Sequence, residues 1–196
     1  TVLPRYVYNT IVLMIGVGLL SIIFGVSSAW VVTRYNFYGK NFFEWALLLP
    51  AAVPAYIIAY TYTDFLEYAG PFQKFLRQLF NWSSPNDYWF PEIRSMGGAI
   101  LVMSCVLYPY IYMMTRASFL TVPLSYYQTS LIYGRNSFFS VALPLARPGM
   151  FAGLALVLME TISDFGTVDY FALETLTLGV FNVWLGMNSL SGASQI

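Results

Sequence analysis

The stretch that decides how this chain is interpreted is SYYQTSLIYGRNSFFSVALPLARPGMFAGLALVLMETISDFGTV, residues Ser125–Val168. It begins with small and polar residues, passes a glycine, and reaches Leu143-Pro144 before an apolar run. Two carboxylates, Glu160 and Asp164, fall near the far end of that run. A polar loop with a proline-bearing exit therefore leads directly into a segment apolar enough to cross a membrane.

The composition indicates a membrane protein. Of the 196 residues, 58% are hydrophobic and only 9% are charged, whereas soluble domains carry about 25% charged residues. Nine basic and nine acidic side chains balance, so no basic excess points to nucleic acid. Histidine, the commonest general base and metal ligand, is absent. The single Cys105 excludes an internal disulfide and is expected to be a packed thiol.

Four intervals are apolar enough to span a bilayer, which takes about 20 residues. They are predicted at residues 8–32, 45–63, 97–116 and 149–168. A surface or re-entrant helix is expected in the tail, residues 179–196. Because the chain starts almost in a span and stops soon after the last one, we expect an excerpt of a longer protein.

Two of these spans contain residues with special backbone properties. Pro50 and Pro54 fall inside the second span, so that helix is expected to kink or break. The break either lines a transport path or is only a structural kink. Small residues of the first span, such as Gly25, either dock another helix or reflect the ordinary tolerance of membrane helices for glycine.

The longest polar stretch, residues 64–98, is predicted to be a surface-lying helix and loop. Pro71 can begin a short helix, and its apolar residues recur at helical spacing. Aromatic residues such as Trp82 and Trp89 follow and suit a membrane–water interface. An aromatic site that stacks sugars or bases is the alternative.

Basic residues orient the spans. One side carries five basic residues against Glu44 alone: Arg34, Lys40, Arg116, Arg135 and Arg147. The other side carries four basic residues against six acidic ones. The first side is therefore predicted to be cytoplasmic, so the loop over residues 121–147 is predicted to face the cytoplasm.

Three short motifs resemble the permease subunits of bacterial binding-protein-dependent ABC importers, in particular the first permease half of the iron(III) transport family. They are DFGTVDYF at residues 164–171, WFPEIRS at 89–95 and AYTYTD at 59–64. The resemblance covers nearly the whole chain. It implies an all-α, polytopic transmembrane helical bundle with the MetI-like permease fold, in a bacterial inner membrane.

The resemblance also implies a loop that couples the permease to its ATPase. Gln128-Thr129-Ser130 stands where the family has Glu-Ala-Ala, and the interval from Gly134 to Leu-Pro is about three residues shorter. A helix from about Leu124 to Tyr133 is expected to dock on the ATPase; a plain amphipathic connection is the alternative. The expected coupling residues are Gln128, Thr129, Ser130, Gly134, Arg135, Leu143 and Pro144.

Carboxylates and phenols near the outer end of the fourth span suggest a substrate pathway. Glu160 and Asp164, four residues apart, would share a helix face, and Asp169 and Tyr170 follow. Charges within a span are costly and usually face an aqueous path, and oxygen donors suit a hard cation. Structural hydrogen bonds or ion pairs are the alternative. No protein ligand set for a metal can be named from the sequence.

The function expected from these observations is passage of ferric iron through an ATP-driven importer. The chain has no Gly-x-x-x-x-Gly-Lys-Ser/Thr stretch, so it is expected to bind no cofactor and to leave ATP to a partner. The implied partners are ATPase subunits, a periplasmic substrate-binding protein, a second permease half or subunit, and the bilayer. Alternatives are a permease for a polyamine, thiamine or an inorganic anion, a membrane scaffold, and, more weakly, a membrane-embedded enzyme.

Overall fold

The computed structural model describes residues 3–82, 84 and 87–194, and these form helices and connections without a β-strand. The predicted all-α class is thereby confirmed. The α-helices are α1 (Leu3–Arg34), α2 (Lys40–Ala46), α3 (Ala55–Leu66), α4 (Pro71–Phe80), α5 (Met96–Thr121), α6 (Leu124–Ile132), α7 (Leu143–Ser163), α8 (Gly166–Tyr170), α9 (Leu176–Phe181) and α10 (Leu190–Ala193). A 3₁₀ turn covers Leu49–Ala52, and π-helical turns cover Phe138–Ala142 and Asn182–Gly186.

Three of the described helices are long and apolar enough to cross a membrane: Leu3–Arg34, Met96–Thr121 and Phe138–Ser163. The number becomes four if the helices before and after the break near Pro54 count as one span. The tail forms a shorter apolar helix, Leu176–Gly186, rather than a candidate span. The last two residues of the predicted tail, 195 and 196, lie outside the described part of the chain.

The prolines break the second predicted span, as expected. Instead of one helix over residues 45–63, α2 ends at Ala46 and a 3₁₀ turn begins at Leu49. Val53 then adopts an extended backbone (φ −115°, ψ 131°) before α3 begins. Proline at position 54 disfavours a helical conformation of the residue before it, which accounts for the break.

The helix predicted over residues 149–168 begins earlier and ends earlier. A π-helical turn starts at Phe138 and runs into α7, so much of the predicted loop at 121–147 is helical. Pro144 therefore lies inside this continuous helical run, at the second position of α7, rather than in a loop exit. The third and first predicted spans are also longer in the structure, since α5 reaches Thr121 and α1 begins at Leu3.

The chain divides into two compact units, and one of them comprises residues 16–53 and 104–161. Its centre is Ile111 of α5, which is fully buried. A β-carbon added at Gly25 of α1 would lie 2.8 Å from Cβ of Ile111, and one at Gly153 of α7 would lie 2.7 Å from its Cα. The missing side chains therefore let both helices approach α5 closely, which favours the docking interpretation of Gly25.

The other unit comprises residues 1–15, 54–103 and 162–196, so far as they are described. The beginning of α1 is tied to the segment before α9. Arg5 forms an ion pair with Glu174 (2.7 Å), and the Asn9 side-chain amide donates to the Glu174 carbonyl (2.9 Å). The Thr10 hydroxyl accepts a hydrogen bond from the Leu176 amide (3.0 Å), which satisfies a backbone donor at the start of α9.

Candidate functional site

Helix α6, the expected coupling helix, is anchored by aromatic packing. Tyr127 is buried, and its ring lies 6.2 Å from that of Trp30. Trp30 also contacts the rings of Phe119 (5.7 Å) and Phe138 (5.1 Å). The guanidinium of Arg34 lies 5.1 Å from the Tyr127 ring centroid, within the range of a cation–π contact. Burial raises the pKa of Tyr127, so the phenol stays neutral at physiological pH.

The end of α6 is fixed by the turn at Gly134. This glycine has φ +64°, a conformation that costs side-chain-bearing residues energy. Its amide donates to the Leu131 carbonyl (3.0 Å), and the Arg135 amide donates to the Ser130 carbonyl (2.9 Å). Together these bonds form a Schellman motif. The buried Ser130 hydroxyl also lies 2.6 Å from that of Ser137, which holds the chain after the turn against α6.

The other side of α6 and its following turn are exposed and largely apolar. The exposed large side chains are Leu124, Tyr126, Leu131, Ile132 and Tyr133, and Ile132 is 83% exposed. A groove of about 650 Å³ lies beside them, lined by residues that include Ser125, Thr129, Arg135 and Ser140. An exposed apolar surface beside a groove with some polar residues is typical of a protein interaction site.

The predicted coupling residues separate into two groups. Gln128, Thr129, Gly134 and Arg135 are exposed on or next to α6, whereas Ser130 is buried. Leu143 and Pro144 instead lie half-buried at the start of α7. The structure therefore places the first group on or next to α6 and the Leu-Pro pair in α7.

The prediction that Glu160 and Asp164 share a helix face is wrong, because α7 ends at Ser163. Asp164 caps α8: its carboxylate accepts from the Thr167 amide (2.7 Å) and from the Thr167 hydroxyl (2.9 Å). Satisfying a backbone donor at a helix start is a common role of aspartate. Glu160 is exposed on α7, and its role in a pathway remains a prediction.

Asp169 and Tyr170, the other predicted pathway residues, line a groove between α8 and α3. The groove has a volume of about 400 Å³ and is also lined by Tyr56, Tyr60 and Thr61. The rings of Tyr60 and Tyr170 lie 5.4 Å apart. Sequence reasoning missed the α3 residues, although Tyr56 and Tyr60 stand four residues apart, a spacing that places both on one helix face.

Tyr170 also belongs to a charged cluster at the start of α5. Arg94 forms an ion pair with Glu67 (2.6 Å) and lies 5.1 Å from the Tyr170 ring centroid. Its guanidinium donates to the Tyr170 hydroxyl (3.4 Å). The hydrogen bond from Arg94 to Glu67 raises the pKa of the guanidinium above its ordinary value. Arg94 therefore stays protonated, and Glu67 balances its charge.

A third ion pair, which the sequence reasoning did not identify, joins α5 to α2. Arg116 was predicted to mark the end of the third span, but it lies inside α5 and binds Glu44 at 2.8 Å. Tyr112, almost fully buried, donates to the Glu44 backbone carbonyl (3.3 Å). The 72 residues between Arg116 and Glu44 leave no local pattern by which the pair could be found.

Comparison with known proteins finds a matching family and several relatives. A family model described as binding-protein-dependent transport system inner membrane component matches residues 21–183. The molybdenum transport system permease protein ModB of Haemophilus influenzae is 31% identical over 157 residues, which are 76% of this chain and 65% of that protein.

Two further relatives carry other substrates in their names. The Fe(3+)-transport system permease protein FbpB 2 of Haemophilus influenzae is 26% identical over 176 residues, covering 88% of this chain and 30% of that protein. A probable sulfate transport system permease protein, cysT, of Chlorella vulgaris is 27% identical over 158 residues, covering 77% and 54%. The chain therefore spans less than two thirds of the length of each of these relatives.

Proposed function

We propose, since this chain belongs to the family of binding-protein-dependent transport system inner membrane components, that it forms part of the permease of an ATP-driven importer. A component of this family is a transport subunit rather than an enzyme, and ATP is hydrolysed by a separate subunit of the system. The bacterial inner membrane is the location that follows from the family.

The observation that carries the proposal is the built-in asymmetry of α6. On its inner side, Tyr127 of α6 packs on Trp30 of α1. Its outer side exposes Leu131, Ile132 and the following Tyr133. A movement of a bound ATPase would reach α1 and α5 through these aromatic contacts, because packed side chains transmit displacement. Rigid-body rocking of this kind is how many transporters alternate access.

The remaining partners follow from the same proposal. An importer of this class needs ATPase subunits, a periplasmic substrate-binding protein, and a second permease half or subunit that completes the pathway. The bilayer would surround the three helices that are long and apolar enough to cross it. In this proposal the predicted coupling residues transmit motion, a role that needs no cofactor.

For the substrate, we favour ferric iron. The resemblance of DFGTVDYF and the relative named for Fe(3+) transport support it, as do the oxygen donors of Asp169 and Tyr170, because a hard cation prefers such ligands. An oxyanion is the second candidate, because relatives named for molybdenum and sulfate transport also match.

Uptake into membrane vesicles tests the proposal. Vesicles that contain the complete transporter and its binding protein should accumulate radioactive iron(III) only when ATP is supplied. Accumulation of molybdate or sulfate instead would reject the ferric assignment but keep the importer. If no solute tested, including a polyamine and thiamine, entered in an ATP-dependent way, the scaffold alternative would replace the importer.

A further inference from the structure

One face of α3 is polar and exposed in a chain that crosses a membrane. Tyr56, Tyr60 and Asp64 follow one another at intervals of four residues, and all three are exposed. Tyr56 and Tyr60 line the groove together with Thr61 and the apolar Ile57, whereas Asp64 lies outside it. Polar side chains in a membrane helix avoid lipid and face either a protein partner or an aqueous path.

The facing wall of this groove comes from α8. The close approach of the two helices depends on Gly166, since a β-carbon there would lie 3.0 Å from Cβ of Tyr56. Asp169 stands on this wall and is exposed. Within the described part of the chain no hydrogen bond or ion pair holds its carboxylate, unlike Asp164, which is committed to capping α8.

We propose that the groove between α3 and α8, lined by Tyr56, Tyr60, Thr61, Asp169 and Tyr170, is a transient binding site for a hard metal cation on its way through the permease. This inference rests on the proposed importer function and deepens it. It commits the site to a cation rather than an oxyanion.

The charge of the groove decides between the two substrate classes. Asp169 is the one formally charged side chain among the lining residues, so an oxyanion would meet a like charge. Arg94 donates to the lining residue Tyr170 but is already paired with Glu67. Phenol, hydroxyl and carboxylate oxygens are the donors that a hard cation prefers.

The size and the donor number suit passage rather than storage. A volume of about 400 Å³ has room for a cation with roughly ten waters, at about 30 Å³ for each water. The described residues contain no group of three or more His, Cys, Asp or Glu side chains that could hold a metal ion. A single carboxylate with neutral oxygens binds weakly enough for the ion to leave, as transport requires.

Terbium luminescence tests the site without any transport. Tb³⁺ is a hard trivalent cation that emits when a tyrosine close to it is excited. The purified complete transporter, without nucleotide, should show sensitised emission that rises with Tb³⁺ and falls when La³⁺, a hard trivalent cation that does not emit, competes. Asp169→Asn should weaken the apparent affinity about tenfold or more, which corresponds to about 1.4 kcal/mol.

A second substitution and a matched control separate the groove from other acidic positions. Tyr60→Phe keeps the ring that packs on Tyr170 but removes the oxygen, and it should lower the emission further in combination with Asp169→Asn. Glu92→Gln removes an exposed carboxylate of the same unit outside the groove and should leave the titration unchanged. Equal titrations of the wild type and the double variant, both with the same thermal unfolding midpoint, would overturn the site.

The same variants distinguish failure of the site from failure of the proposed function. If they lose Tb³⁺ binding but take up iron(III) at the wild-type rate, the groove is not on the path and the importer stands. If wild-type protein binds Tb³⁺ in the groove but transports only molybdate or sulfate, the ferric assignment falls. Binding of radioactive molybdate to the wild-type protein that is lost in the Asp169→Asn, Tyr60→Phe double variant would overturn the choice of a cation.

Discussion

Helices α4 and α6 are both short connections between longer helices, and different contacts dominate their inner sides. On α4 a hydrogen-bond network lies beside Phe72, which packs on Phe65: buried Gln73 donates to the Leu66 carbonyl (2.7 Å) and accepts from the Tyr88 hydroxyl (2.6 Å). Arg77 donates to Tyr88 (2.9 Å) and to the Tyr68 carbonyl (2.8 Å). The inner side of α6 is aromatic and rests on Trp30 through Tyr127.

This difference indicates what each helix can do. Hydrogen bonds are directional, so a satisfied network such as that of α4 fixes one arrangement. Aromatic packing is less directional and accepts several ring angles. We infer that α4 is a rigid support, whereas α6 can be displaced slightly without losing its anchor.

The largest expected effect concerns which side of the membrane each helix faces. Gln78 of α4 and Gln128 of α6 are both exposed, so each can be replaced by cysteine in a Cys105→Ser background. A membrane-impermeant thiol reagent added outside should label Gln78→Cys and leave Gln128→Cys unmodified, because the basic residues orient α6 inward.

Detergent permeabilisation is the control, since both cysteines should then react. Ser137 is unsuitable as a reporter, because it is buried against Ser130. Labelling of Gln128→Cys alone from outside would show that the predicted orientation is wrong. It would also exclude the proposed docking of the ATPase on α6.

A second expected effect separates the two sides of α6. Tyr127→Ala should remove the contact with Trp30 and lower the thermal stability of the isolated permease, since truncating a buried aromatic residue typically costs about 3–5 kcal/mol. Tyr126→Ala, at the exposed neighbouring position (55% exposed), should leave stability unchanged. It should instead reduce binding of the ATPase, measured by copurification.

The two variants serve as controls for each other. Tyr127→Ala without any loss of stability would show that the aromatic anchor is unimportant in the permease. Normal ATPase copurification and normal uptake with Tyr126→Ala would take the exposed side of α6 out of the interface, and the plain amphipathic connection would then be favoured.

Local signals predicted much of the fold. Pro50 and Pro54 indicated the break in the second span, and Gly134 indicated the end of α6, predicted at Tyr133 and observed at Ile132. Both features depend on the backbone limits of single residues, which the sequence displays directly. The exposed segment of α6 and its following turn was therefore predictable, apart from the early start of α7.

The end of α7 also has a local cause, which the sequence reasoning missed: Asp164 accepts from Thr167, three residues further on, instead of continuing the helix. Features that depend on distant partners, by contrast, were not predictable. The groove between α3 and α8 joins residues more than a hundred positions apart, and the Arg116–Glu44 pair joins residues 72 positions apart. No periodicity within one segment records such contacts.

A smaller effect is expected for the polar support of α4. Tyr88→Phe removes the donor to Gln73 and the acceptor of Arg77, and leaving such groups unsatisfied costs about 1–3 kcal/mol. The thermal unfolding midpoint of the purified transporter should therefore fall, and the segment between α4 and α5 should become more sensitive to protease. Tyr38→Phe, at a fully exposed tyrosine, is the matched control and should change neither quantity. Equal results for both variants would remove the network as the feature that makes α4 rigid.

Substitution of Gly134 is expected to have the smallest effect on the stability of the isolated chain. It also tests whether the ATPase approaches this residue. Gly134→Ala forces a side chain into a left-handed conformation and should cost about 1 kcal/mol, whereas Gly134→Asn should cost less, because asparagine tolerates that conformation. A β-carbon at this position meets nothing within 4 Å, so Gly134→Trp should be no less stable than Gly134→Ala in the permease alone.

Substrate-stimulated ATPase activity of the assembled transporter should nevertheless fall further with tryptophan than with alanine, because the larger side chain would enter the space that the ATPase occupies. Equal stimulation in the alanine and tryptophan variants would show that no partner approaches Gly134, and the glycine would then serve only to end α6.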